Sequence, residues 1–154
     1  MDTLIPDLPD LSTLSATANS INEHYKEINK RLLEFESQLR GLNLDVEGWV
    51  TDVPLEISSC EGVSWPTLTK DQNRETIEKR YLLGFCEAKN GRFRLFCKVV
   101  STIAHEGTKF PLLEASMNLR IKALGKMGEL VRVLEVAAKE KQAELKKKLE
   151  MVEL

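Results

Sequence analysis

Little in this sequence supports chemistry. Its three cysteines, Cys60, Cys86 and Cys97, are odd in number and show no C-x-x-C spacing, and only two histidines accompany them. That argues against a disulfide framework or a zinc site and favours reduced, mostly buried thiols in a cytoplasmic protein. No apolar run reaches the roughly 18 residues of a membrane span. The stretch Met1-Asp2-Thr3-Leu4-Ile5-Pro6 has neither the basic nor the apolar segment of a secretory signal, so no membrane partner is expected. A net charge of −2 gives no bulk attraction to nucleic acid. No nucleotide, metal or catalytic motif is present. No catalytic residue, metal ligand or cofactor is therefore assigned, and the protein is not expected to be an enzyme.

What is present is helical periodicity at both ends. From Leu112 to Ala138 two apolar rows run side by side. One is Met117, Leu124, Met127, Val131, Leu134 and Ala138; the other is Leu112, Leu119, Ala123, Leu130, Val133 and Ala137. Each row keeps the 3/4 spacing of one helical face. Beyond Ala138 only the row Gln142, Leu145, Leu149, Val152 continues, among lysines and glutamates. A seam so narrow reads as a coiled-coil partner face. Gly107, Thr108 and Pro111 suit the start of a long helix spanning 110–153. Gly125 and Gly128 interrupt it, and we read them as points where another backbone approaches closely.

Near the other end, after an arm (1–11) with Pro6 and Pro9, the row Leu14, Ala18, Ile21, Tyr25, Ile28, Leu32, Phe35, Leu39, Leu42 holds 4,3,4,3 spacing unbroken. It predicts a helix over 12–42, capped by Asp10 or Ser12 and ended by Gly41 and Asn43. The 1.5 Å rise makes this helix about 45 Å long and the C-terminal one about 65 Å. Laid antiparallel, they leave about 20 Å of the longer one without an intramolecular partner. Residues 1–43 carry four basic and seven acidic residues, and 104–154 ten basic and eight acidic, which favours the two helical regions lying together.

The middle, 44–102, reads as antiparallel hairpins. Leu44–Val50 and Leu55–Ser58 alternate and suggest a first hairpin. An aperiodic loop over 61–75, with Trp65-Pro66, follows. Asn90-Gly91 between two strand-like runs predicts a second hairpin with a type I′ turn, setting Glu87 opposite Arg94 and Phe85 opposite Phe96. That register puts Leu82, Cys86, Leu95 and Cys97 on the core face.

The expected fold is α+β, a single domain of 1–154. Two long helices flank an antiparallel meander of about four strands, with coiled-coil-like helix packing. The order helix, hairpin, loop, hairpin, helix resembles prefoldin-type subunits in outline. The expected function is a non-enzymatic interaction or assembly module that forms a homodimer or higher oligomer or binds a helical partner. Leu134, Leu145, Leu149 and Val152 are expected at the contact, with Trp65 a second contact point. A nucleic-acid binder using Lys89, Arg92, Arg94 and Lys98 with Phe96 is the alternative. A small enzyme with its site near His105-Glu106 is the remote one.

Overall fold

The strand β3 (Arg74–Glu87) is the centre of the fold. The computed structural model describes residues 6–63, 74–102 and 107–152, with the side chains of 60–63 and 74–76 left aside. Among them, five antiparallel strands form one sheet. Along one side of β3 runs β4 (Phe93–Ser101), with β5 (Thr108–Pro111) outside it. Along its other side lie β1 (Gly48–Trp49) and β2 (Glu56–Val63), end to end. The first expected hairpin is thus two pieces of one edge. Val50 N–H donates to the Leu83 carbonyl at 2.8 Å and Leu55 N–H to that of Tyr81 at 2.7 Å, so residues 51–54 loop out between two ladder bonds. Pro54 has no N–H to give a ladder, which breaks the edge at that point.

Pairing of β2 with β3 continues to Val63↔Arg74, into the stretch expected to be loop. This polar ribbon was missed because backbone bonds hold it and few apolar residues alternate along it. The remainder of the expected loop, Trp65 included, lies outside the described residues, as do 103–106.

The hairpin at Asn90-Gly91 forms in a different register from the expected one. Phe85 faces Leu95, Cys86 faces Arg94 and Glu87 faces Phe93. A type I′ turn needs positive φ at both turn residues, and here only Gly91 has it, at +82°. The Asn90 side chain instead accepts from Arg92 N–H at 3.1 Å, and Ala88 N–H donates to the Arg92 carbonyl at 2.7 Å. The loop therefore holds three residues, Lys89-Asn90-Gly91. One extra residue inverts the faces of β3 relative to β4. Leu83 and Phe85 join Leu95 and Cys97 in the core, while Leu82 and Cys86 are buried on the opposite face. On that outer face the Trp49 ring lies over Gly84, where any side chain would run into it, and Lys98 Nζ sits 4.9 Å from the Trp49 ring centre.

Three helices supply the other layer, rather than two. α1 is Ser12–Gly41, and the Asp10 carboxylate accepts from its first N–H, that of Ser12, at 3.0 Å and from the Ser12 hydroxyl at 3.0 Å. Pro111 does not open the second helix. It ends β5, a 3-10 turn (Leu112–Glu114) follows, and Ser116 caps α2 (Met117–Leu124) by accepting from Leu119 N–H. After Gly125 and Lys126 the chain restarts as α3 (Met127–Val152). Nothing but the Lys122 carbonyl comes within 4 Å of a Cβ built at Gly125, and nothing at Gly128. Gly125 therefore marks a break, Gly128 lies in the first turn of α3, and neither is a point of close approach. The apolar rows themselves are in place: Leu119, Ala123, Met127, Leu130 and Leu134 meet Leu32 and Leu39 of α1 and the inner face of the sheet in one cluster. No helix among the described residues is long and apolar enough to cross a membrane.

The direction of the helices decides what is left uncovered. Arg120, early in α2, donates to Asn29 Oδ1 at 2.9 Å, and farther along Val131, Leu134 and Ala138 of α3 line a hollow with Leu39 and Leu42 of α1. Both chains advance together, so α1 and α2–α3 run the same way and not antiparallel. One buried carboxylate pins this layer to the sheet. Glu36, 3% exposed, accepts from Leu95 N–H at 3.0 Å and lies within ion-pair reach of Arg40 and Arg94. β5 ends opposite Phe96, one residue short of covering the Leu95 N–H, and Glu36 fills that gap.

Candidate interaction surface

Because the helices run parallel, each leaves a bare arm at an opposite end of the molecule. Pro6 to Glu27 is exposed throughout, and α1 meets the core only from Ile28 onward. Its free part, Ser12–Glu27, is about 24 Å long and presents Leu14, Ile21 and Tyr25. At the far end α3 is exposed from Gln142 to Val152. Leu145 is 49%, Leu149 64% and Val152 81% exposed, all on the row that continues from Leu134 and Ala138. Leu134 is placed differently from its three companions. At 3% exposure it belongs to the protein's own core and reaches the surface only as lining of a hollow beside Leu39 and Leu42.

A groove joins the core to the α3 arm. Two adjoining hollows of about 340 and 540 Å³ share Leu44 and Ala138. Leu39, Leu42 and Leu44 form one wall; Val131, Ala138, Leu145 and Leu149 form the floor. The wall is held in place locally. Asn43 and Asp45 both adopt left-handed backbone, which turns the chain sharply after α1. Lys141 Nζ then donates to the carbonyls of Leu44 at 3.0 Å and Asp45 at 3.2 Å, strapping this turn to α3. The rim carries three lysines, Lys139, Lys141 and Lys146, and one glutamate, Glu135.

The four hairpin bases do not form one free cationic patch. Lys89 and Arg92 are exposed at the tip. Arg94 reaches Glu36 at 3.8 Å, and Lys98 is stacked on Trp49. Phe96 is buried, with Lys109 Nζ 5.5 Å from its ring centre, and lines a hollow of about 740 Å³ with Lys89, Arg94 and Lys109. His105 and Trp65 lie outside the described residues. His24 is exposed on α1. Cys86 and Cys97 are free and buried, on opposite faces of the sheet. Burial pushes the Cys97 thiol up to about 11. Burial also raises Cys86, opposed by Lys109, whose Nζ lies 3.6 Å from its sulfur.

Sequence reasoning assigned contact residues on α3 and at Trp65, and missed three features. The α1 arm carries the same seam but was assumed to be covered. Glu36 was readable, since it lies four residues after Leu32 and three before Leu39, within the buried stripe itself. Lys141 gave no signal, because its partners are backbone carbonyls. No protein-family model, curated protein or solved structure matches this chain. The likeness to prefoldin-type subunits therefore rests on element order alone.

Proposed function

We propose that this protein is a non-enzymatic interaction and assembly module that associates with itself through its exposed helical seams, in a coiled-coil-like manner. The observation that carries this reading is the α3 seam: Leu145, Leu149 and Val152 stand in solvent on a helix that continues well past its last core contact. Exposed apolar surface is unfavourable at about 25 cal/mol per Å², and a partner helix removes it. The free, buried thiols suit a reducing, cytoplasmic setting.

Sedimentation equilibrium at micromolar concentration tests it. A mass above that of the 17.5 kDa chain is expected, falling to the single chain in Leu145→Lys/Leu149→Lys. A single-chain mass for the unaltered protein at every concentration refutes self-association.

A further inference from the structure

The two arms complement each other and cannot meet within one chain. They leave the core at opposite ends, since α1 and α3 run the same way. Their lengths agree, about 24 Å for Ser12–Glu27 and about 21 Å for Lys139–Val152. Their charges oppose: residues 6–27 carry four acidic and one basic residue, and 139–152 carry five basic and three acidic. Their surfaces also fit, because α1 offers one narrow apolar seam and α3 offers a groove with a basic rim.

The α1 arm has a second need for a partner. Ser12, Thr13, Ser15, Thr17, Asn19 and Ser20 crowd its start, and such residues favour caps and turns over helix interiors. A helix this short, uncovered and so composed is marginal in water.

We propose that the protein forms a closed twofold dimer in which the α1 arm of each copy lies antiparallel in the α3 groove of the other. A twofold axis across the helices reverses one copy. Its α1 arm then comes to the end where the first copy's α3 arm projects, root beside root and tip beside tip. Both grooves are filled and no surface remains to propagate, the commonest way a self-complementary contact closes. With Glu27 beside Lys139 at the root, the 1.5 Å rise of both helices brings Glu23 level with Ala143, within side-chain reach of Lys146.

This proposal rests on the self-association argued above, and its test separates the two. Ile21→Lys/Tyr25→Lys, which leaves the α3 seam untouched, is compared with Leu145→Lys/Leu149→Lys by sedimentation equilibrium. Each is expected to raise the dimer dissociation constant by about tenfold or more. An equimolar mixture of the two is expected to regain a dimer, weaker than the unaltered one, because one of its two contacts is intact. In a second pair of variants, Lys139→Glu/Lys146→Glu weakens the dimer and added Glu23→Lys/Glu27→Lys restores part of it. A dimer that survives the α1 substitutions but not the α3 ones overturns the arm exchange and leaves self-association through α3 standing. A mass that grows without limit with concentration overturns the closed twofold arrangement. A single-chain mass for the unaltered protein overturns both.

Discussion

The α1 and α3 arms are alike in length and exposure but differ in what keeps them helical. The α3 arm is built from Lys, Glu, Ala, Gln and Leu, all strong helix formers, and carries an i,i+4 bond from Lys148 to Glu144 at 2.9 Å. The first half of α1 is rich in Ser, Thr and Asn, and its ion pairs Glu23–Lys26 and Glu27–Arg31 lie at its root. Thr17 even bonds back to the Thr13 carbonyl at 3.0 Å, an interaction that competes weakly with helix geometry. One arm is therefore helical by local preference, and the other depends on what covers it.

The largest effect separates the packed half of α1 from its bare half. Leu32→Ala removes a fully buried side chain and is expected to lower stability by about 2–5 kcal/mol in urea melts. Leu14→Ala, on the same row, is expected to stay within about 0.5 kcal/mol when the melt is run below the concentration at which copies associate. Equal losses at the two positions would mean that the arm is packed within the single chain. A smaller effect sharpens the contrast between the arms. Thr17→Ala/Asn19→Ala/Ser20→Ala together are expected to stabilise the α1 helix by about 1 kcal/mol and raise the helical signal of the dissociated chain. Ala143→Ser on α3 is expected to move that signal slightly in the other direction.

The smallest effect concerns charge on the α3 arm. The hydrogen bond from Lys148 holds the Glu144 carboxyl below its ordinary 4.5. A carboxylate favoured in the folded helix supports it above the carboxylate range, and that support is lost as pH falls through the lowered value. Far-UV circular dichroism from pH 6 downward is expected to show this loss, and Lys148→Met is expected to remove the pH-dependent part arising from the pair.

Much of the architecture was readable in advance, and the misses share a cause. Alternation marked the strand runs around Asn90-Gly91, and the 3/4 rows marked α1 and one long helical stretch that the structure divides into α2 and α3, because burying one side of an element imposes its period on the residues. The inner face of β3 was misassigned because one side-chain bond, from Asn90 to Arg92 N–H, chooses a three-residue loop over a two-residue one. The β1–β2 edge was misread because Thr51–Pro54 looks the same in sequence whether it turns the chain back or merely loops out. Leu134 was placed at a partner contact because it shares a row with Leu145 and Leu149, and a row does not say where the core ends.

By itself, the sequence determined where the helices and most of the strands run, which side of each helix is apolar, and that α3 ends in a seam among lysines. These follow from local propensity and from periodicity, and both act over a few residues. Only the tertiary structure decided that α1 and α3 run parallel, that Glu36 joins the helical layer to β4, and that the two bare arms leave at opposite ends. Those depend on which apolar faces meet across long stretches of chain, and a face's period records its own side but not its partner.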